Sequence, residues 1–159
     1  MRFFFFGTLM DPDVREVVVG RPVPASRIEP ATLEGFRRMC VAGRSYPMLI
    51  PDPPGRVEGC LVRGLNRRAR ARIGRFEGDE YRPERHWVRL SGGARVEAYV
   101  YMARSGVRAG RAPWELSTWQ RRHKRALLER AQMWSEPDAP EAPLRCREEK
   151  RDRRTRRRG

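Results

Sequence analysis

Apolar residues at the start of the chain predict a strand followed by a short helix. The four phenylalanines Phe3–Phe6 form an apolar run typical of a buried strand, and Gly7-Thr8 then predicts a tight loop. Asp11 offers a helix N-cap and Pro12 a first-turn proline, which together predict a helix through Val19. The chain therefore begins with a strand, a glycine loop and a helix.

The middle of the chain predicts mainly strands separated by turns. Gly35 interrupts one apolar run and predicts a β-bulge. The proline-rich segment 51–55 predicts a turn after the short apolar run 46–50, and the glycines at 92 and 93 predict a hairpin. The predicted strands are Ala31–Val41, Arg56–Leu65, Tyr81–Leu90 and Arg95–Ala103.

A second helix is predicted between two of these strands. Asn66 is its N-cap, and the apolar residues Ala69, Ile73 and Phe76 recur at helical spacing. The pattern ends near Glu77-Gly78, so Glu77 is expected in the last helical turn.

A third, longer helix is predicted near the C-terminus. Ser117 with Gln120 three residues later is typical of a capping box. His123 falls on the apolar stripe, and we interpret it as a packing residue because no second ligand is spaced to join it. The stripe contains Trp119, Ala126, Leu127, Ala131 and Trp134.

The order of these elements predicts the fold class. Hairpin-linked strands outnumber helices and no βαβ rhythm is present, which favours an α+β architecture with a mixed, mostly antiparallel sheet that can close into a barrel. We expect one domain over residues 1–134, a proline-rich linker over 135–144 and a basic disordered tail over 145–159.

Composition changes this picture mainly through charge. The formal net charge is +15, and the tail contributes nine Lys/Arg against three Asp/Glu. We expect the tail to be a solvated extension whose contact with nucleic acid, if any, is non-specific. No segment approaches the roughly 20 apolar residues of a membrane span, so we expect a cytoplasmic protein. The three cysteines are scattered, and Cys40 and Cys60 are interpreted as core thiols.

The inventory of reactive residues narrows the chemistry. Only two histidines occur in the chain, which disfavours a metal centre or a histidine-based triad. The nucleophile-elbow, phosphate-loop and dinucleotide-binding motifs are absent as well. We therefore expect no metal and no cofactor, and chemistry carried by carboxylates, tyrosines, arginines or backbone amides.

Two segments are candidates for that chemistry. The loop Gly7, Thr8 and Leu9 follows a buried strand and precedes a helix, so its backbone N–H groups could face an anion, although a plain strand-to-helix turn would look alike. Glu77 faces the negative end of its helix dipole, which costs about 0.3–1 kcal/mol. Burial beside Ile73 and Phe76 would raise its pKa, whereas pairing with an arginine is the structural alternative.

Together these segments resemble the gamma-glutamylcyclotransferase-like proteins. The resemblance runs from Phe3 to Trp134 and rests on the order FFFFGTLM, GRSYPMLIPDPPGRVEG and FEGDEYRP, followed by a Trp-bearing helix. It implies a small, mixed, mostly antiparallel β-barrel with flanking helices and a cavity lined by the glycine loop.

The resemblance also implies roles for individual residues. The loop Phe6-Gly7-Thr8-Leu9 would hold a gamma-glutamyl group, and Glu77 would be the general base. Tyr46 and Tyr81 match positions near the pocket. The family loop usually carries tyrosine where this chain has Phe6, so a hydroxyl that could bind substrate is missing; one such hydrogen bond contributes about 0.5–1.5 kcal/mol.

The function implied is release of 5-oxoproline from a small gamma-glutamyl amine or amino acid by intramolecular aminolysis. Two alternatives remain open. One is a ligand-binding module that keeps the fold without catalysis, which Phe6 favours. The other is a basic nucleic-acid-binding barrel, which the net charge and aromatic residues such as Trp87 and Tyr99 favour.

Overall fold

The computed structural model describes residues 1–132. The predicted domain end at 134, the linker 135–144 and the tail 145–159 lie outside the described residues. The strands are β1 (Arg2–Phe5), β2 (Ile28–Val41), β3 (Pro47–Arg63), β4 (Tyr81–Leu90), β5 (Arg95–Ala103) and β6 (Ala109–Pro113). The helices are α1 (Pro12–Val19), α2 (Arg67–Glu77), α3 (Leu116–Arg122) and α4 (Lys124–Gln132), and single 3-10 turns occupy Thr8–Met10 and Ala25–Arg27.

Five strands close into a mixed barrel. Their order is β3-β1-β5-β4-β2, and pairing of β2 with β3 completes the ring, while β6 adds to the free side of β2. Neighbouring strands are antiparallel except β1 and β5, which run parallel and pair through Phe3 and Tyr99. The predicted α+β fold, a mostly antiparallel barrel with flanking helices, is confirmed.

The phenylalanine run of β1 is buried on both faces of the strand. Phe4 and Phe6 belong to an apolar cluster drawn entirely from strand and strand-end residues, which fills the barrel. Phe3 and Phe5 belong to a second cluster that includes residues of α1, α2 and α3. Because successive side chains of a strand point to opposite faces, this run connects the barrel interior to the helical layer.

The predicted N-cap of α1 is present, and a glycine caps its C-terminal end. The Asp11 carboxylate accepts hydrogen bonds from the backbone N–H groups of Asp13 and Val14, and Gly20 ends the helix with a φ of 85°. This left-handed conformation favours glycine. The boundaries of α1 therefore match those predicted from sequence.

The predictions for α2 are also confirmed. The Asn66 side chain accepts a hydrogen bond from the backbone N–H of Ala69, and the helix ends at Glu77 before Gly78. Ala69 and Ile73 are buried on its inner face. This packing directs the C-terminal turn of α2 toward the end of the barrel where β1 also ends.

The region 46–65 differs from its prediction. The bulge at Gly35 is present, but β3 is one continuous strand, so its division by a turn at 51–55 is wrong. The register passes from Glu34–Arg56 to Phe36–Pro51, which leaves residues 52–55 opposite Gly35 alone. Proline is tolerated at such an irregularity because no ladder hydrogen bond is required there.

The predicted C-terminal helix is also wrong in detail. It breaks at His123 into α3 and α4, and α3 begins after Glu115 without a side-chain cap. His123 is exposed and not a packing residue. The capping box does not form because α3 begins at Leu116, which places Ser117 inside the helix. Gln120 Nε2 donates instead to Asp11 Oδ2 at 2.8 Å, and Lys124 Nζ lies 2.8 Å from the same atom. Contacts with α1 therefore decide the shape of this segment.

Strand β6 was missed because it is short and lacks an alternating pattern. It pairs with β2 through Met39–Pro113 and Val41–Ala109. No helix within residues 1–132 has the length and apolar character needed to cross a bilayer. Cys40 and Cys60 are free thiols of intermediate exposure, and both pack against the apolar cluster that contains Phe3 and Phe5.

The close approach of β1 to β3 at Gly59 provides a test of the barrel. A Cβ placed on Gly59 would lie 2.3 Å from the Phe5 carbonyl oxygen and 2.6 Å from the Phe4 ring, whereas one on Gly92 would meet nothing within 4 Å. We expect Gly59→Ala to lower the free energy of unfolding by about 2 kcal/mol or more. Gly92→Ala should change it far less. Urea denaturation of both variants measures this, and equal stabilities would contradict the close approach of the two strands.

Candidate active site

A cavity of about 1150 Å³ opens at the end of the barrel where β1 ends. The glycine loop, the β2–β3 turn, the C-terminal turn of α2, β6 and the two last helices all contribute to its wall. Each residue predicted for the site lines it: Phe6, Gly7, Thr8, Leu9, Tyr46, Glu77 and Tyr81.

The glycine loop presents three backbone donors. The carbonyl oxygens of Gly7 and Thr8 accept hydrogen bonds from the N–H groups of Met10 and Asp11, at 2.9 and 3.0 Å. Within residues 1–132, by contrast, the N–H groups of Gly7, Thr8 and Leu9 have no hydrogen-bond acceptor. The loop can therefore donate to a ligand carbonyl or anion without losing an internal bond.

Close packing explains why glycine begins this loop. A Cβ on Gly7 would lie 2.9 Å from Pro47 Cγ, at the start of β3. Phe6, immediately before it, is 6% exposed and packs into the apolar cluster of the barrel. The loop is thus held between an apolar floor and the β2–β3 turn.

Glu77 is half-buried and has no charged partner within residues 1–132. Among the described residues no arginine, lysine or histidine lies within ion-pair distance of its carboxylate, so the alternative of an arginine pair is not realised there. Desolvation raises the pKa of Glu77 from 4.5 to about 8. The negative end of the α2 dipole acts in the same direction. Glu77 can therefore exchange a proton near neutral pH.

Two buried tyrosines surround Glu77. Tyr81 Oη donates to the Pro47 carbonyl oxygen at 2.8 Å, and burial together with the Glu77 charge raises the pKa of Tyr81. The same two causes raise the pKa of Tyr101 to about 12. Both phenols stay neutral at any working pH and can act as donors. Tyr101 was not predicted, although its position in β5, two residues after Tyr99, places it on one face with that ring.

Tyr46 lines the cavity beside Tyr81. Its hydroxyl donates to Glu80 Oε2 at 2.6 Å, and its ring lies edge-on to that of Tyr81 with centroids 6.3 Å apart. Burial, followed by the bond to Glu80, raises the pKa of Tyr46. The predicted pocket tyrosines therefore shape the wall, with both hydroxyls engaged by the protein.

Two arginines that sequence reasoning missed support the loop from outside the cavity. Arg15 is buried and its Nη1 donates to the carbonyl oxygens of Leu9 and Met10, at 2.9 and 3.1 Å. Arg38 Nη1 donates to the Phe6 carbonyl oxygen at 2.7 Å. Helical spacing could have identified Arg15, which precedes Val18 and Val19 by three and four residues and shares their buried face.

Exposed charges of both signs surround the cavity mouth. The basic members are Arg44, Arg111 and Arg130, and the acidic members are Asp79 and Glu80. His123 also lines the wall, and within residues 1–132 no group of three or more His, Cys, Asp or Glu is arranged to hold a metal ion. A zwitterionic ligand would find both signs of charge here.

This arrangement can bind a carbonyl compound and move one proton. The cavity is lined both by the loop that carries the three N–H donors and by Glu77, whose carboxyl group has a pKa near 8. Donors of this kind stabilise a developing oxyanion, and a base with this pKa works efficiently near neutral pH. The site is suited to attack on an acyl carbon.

Comparisons with known proteins agree with the fold. A family model described as gamma-glutamyl cyclotransferase, AIG2-like, matches residues 3–121. AIG2-like protein B of Arabidopsis thaliana is 33% identical over 131 residues, which cover 79% of this chain and 73% of the relative. AIG2-like protein A of the same plant is 30% identical, with 79% and 76% covered.

Solved structures extend the likeness. A solution structure of an Arabidopsis thaliana protein is 28% identical, covers 81% of this chain and 86% of its own, and has a TM-score of 0.61. A glutathione-specific gamma-glutamyl cyclotransferase from yeast is 14% identical, with 89% and 90% covered and a TM-score of 0.52, which is a likeness of fold. The match of the family model across most of the described residues decides the relationship: the chain belongs to the AIG2-like gamma-glutamyl cyclotransferase family.

Proposed function

We propose that the protein is a cyclotransferase that releases 5-oxoproline from a gamma-glutamyl amine or amino acid. The observation that carries the proposal is the presence of two groups in one cavity. One is a half-buried carboxyl group, Glu77, with a pKa near 8, and the other is the set of amide donors at Gly7–Leu9. Membership of the family supports the same reaction class.

Binding in this proposal begins with the two ends of the glutamyl group. Its γ-carbonyl oxygen accepts hydrogen bonds from the loop amides, and its α-ammonium group lies against Glu77. The cation offsets the desolvation that keeps the carboxyl group protonated. Substrate binding below pH 8 therefore releases a proton from Glu77 and leaves an ammonium–carboxylate pair.

The raised pKa of Glu77 helps it to remove a proton from that ammonium group. An α-amino group titrates near 8, whereas an ordinary glutamate titrates near 4.5. A difference of that size makes the transfer uphill by about 5 kcal/mol. Desolvation in the free site raises the pKa of Glu77 to about 8 and so reduces this difference. Part of the cost remains in the ammonium–carboxylate pair, because the substrate's positive charge stabilises the carboxylate.

Ring closure and loss of the leaving group follow. The freed amine attacks the γ-carbonyl carbon, a C–N bond forms, and the loop amides bear the developing oxyanion charge. The bond to the leaving nitrogen then breaks, and the proton held by Glu77 passes to the departing amine. The second proton lost by the attacking nitrogen leaves with the same amine as its ammonium charge. Intramolecular attack of this kind reaches effective molarities of roughly 10⁵–10⁸ M.

A second candidate is a binding module that retains the pocket without turnover. Phe6 is the observation in its favour, since its ring packs into the apolar cluster and brings no hydroxyl to the ligand. A product assay separates the two candidates, because the binding module would take up gamma-glutamyl compounds and release them unchanged.

Replacement of the base tests the proposed reaction. We expect Glu77→Gln to fold normally and to lower kcat by about 10²–10⁴-fold, since the amide cannot accept the ammonium proton. The assay follows 5-oxoproline by mass spectrometry over a panel of gamma-glutamyl amines and amino acids. Glu84→Gln, at an exposed carboxylate paired with Arg82 outside the cavity, is the matched control. Full activity of Glu77→Gln would remove Glu77 from the mechanism.

The pH dependence of the reaction is a second test. Free enzyme must carry the ionised carboxylate, and the pKa of Glu77 is about 8. We expect kcat/KM to fall about tenfold for each pH unit below 8. A profile that stays flat down to pH 5 would show that the active base has an ordinary glutamate pKa.

The same pKa predicts an effect on stability. Between pH 4.5 and 8 the folded protein holds a proton on Glu77 that the unfolded chain releases, so stability falls as pH rises through this window. Glu77→Gln removes that dependence. We expect the variant to gain stability relative to the parent from pH 4.5 to 8, by at most about 5 kcal/mol. Denaturation at several pH values measures the difference, and a constant difference would contradict burial of the charge.

A further inference from the structure

The guanidinium of Arg38 joins three separate segments of the chain beside the glycine loop. Its Nη1 donates to the carbonyl oxygens of Phe6 and Glu58, at 2.7 and 3.2 Å, and its Nε donates to that of Trp114 at 3.1 Å. The guanidinium carbon also lies 5.2 Å from the centroid of the Trp114 ring. Arg38 is therefore fixed in both position and plane.

The bond to Phe6 fixes the direction of a donor in the site. No peptide bond in residues 1–132 is cis, and in a trans peptide the carbonyl oxygen and the following N–H point in opposite directions. The Phe6 carbonyl and the Gly7 N–H share one peptide group. A donor that holds the first therefore aims the second away from Arg38.

The other two loop donors are oriented without a side chain. The N–H groups of Thr8 and Leu9 share peptide groups with the carbonyls of Gly7 and Thr8, and the backbone N–H groups of Met10 and Asp11 hold those carbonyls. Of the three donors, Gly7 alone depends on a side chain for its direction. Arg38 is the side chain that holds the Phe6 carbonyl and so sets the direction of the Gly7 N–H.

The hydrogen bonds of Arg38 help to hold three segments together, but stability alone does not account for an arginine at this position. Its hydrogen-bond acceptors are neutral, and among the described residues no carboxylate lies within ion-pair distance, although the charges of Glu58 and Glu115 act on it from further away. Desolvating a guanidinium without a close counterion is costly. The arrangement instead leaves a positive charge next to a loop of N–H donors.

We propose that Arg38 is a positioning residue for the reaction: it aims the Gly7 N–H at the substrate carbonyl and adds positive potential behind the site of oxyanion formation. The inference rests on the proposed function. In this proposal Arg38 does not contact the substrate, because it acts through the Phe6–Gly7 peptide group.

The test compares Arg38→Met with Arg38→Lys, and uses Arg37→Met as the matched control because Arg37 is the exposed neighbour on the same strand. We expect Arg38→Met to lower kcat by about 10–100-fold with little change in KM, since the lost alignment acts mainly in the transition state. Arg38→Lys keeps one donor and the charge and should recover part of the loss. Arg37→Met should match the parent.

A spectroscopic readout separates positioning from stability. In protein labelled with ¹⁵N-glycine, the Gly7 amide resonance reports the hydrogen bond at the preceding carbonyl. We expect it to move in Arg38→Met and to stay in place in Arg37→Met. A folded Arg38→Met with parental kcat or an unmoved Gly7 resonance would overturn the proposal, as would unfolding of both Arg38 variants. A parent that makes no 5-oxoproline would refute the proposed function, and the Gly7 resonance would still decide whether Arg38 sets the loop.

Discussion

A strand that buries phenylalanine on both faces has to lie between other layers of a small protein, and β1 is such a strand. Phe4 and Phe6 fill the barrel while Phe3 and Phe5 hold the helices. β1 pairs with β3 on one side and with β5 on the other, and its C-terminal end lies at the cavity. The glycine loop follows directly, so the position of the site is a consequence of how the core is filled.

The second half of the site depends on electrostatics rather than on packing alone. Glu77 lies at the negative end of α2, half-buried and without a cation within ion-pair distance among the described residues. The helix dipole, the desolvation and the lack of a nearby cation all disfavour the ionised carboxylate, and none of them stabilises the folded protein. The neighbouring phenols of Tyr81 and Tyr101 remain neutral for the same reason. The carboxyl group and the two phenols in the cavity are therefore favoured in their neutral forms until a cationic ligand binds.

Local signals explain which parts could be predicted from sequence. The caps of α1 and α2, the β4–β5 hairpin and the end of α2 at Glu77 depend on residues close together in the chain. The break at His123 could not be predicted, because it depends on Asp11 capturing side chains from the far end of the chain. Arg38 was missed for a similar reason, since its acceptors are backbone carbonyls of three distant segments.

The single parallel contact of the barrel has a consequence for how the chain folds. The β2–β3 and β4–β5 pairs are antiparallel and join segments adjacent in sequence, whereas β1 pairs with Cys60 and Tyr99, far along the chain. Pairing across such distances is slow because loop entropy is lost before contacts are gained. The event that closes the ring also brings the glycine loop to Glu77. A folding intermediate with both hairpins complete would therefore still have no pocket.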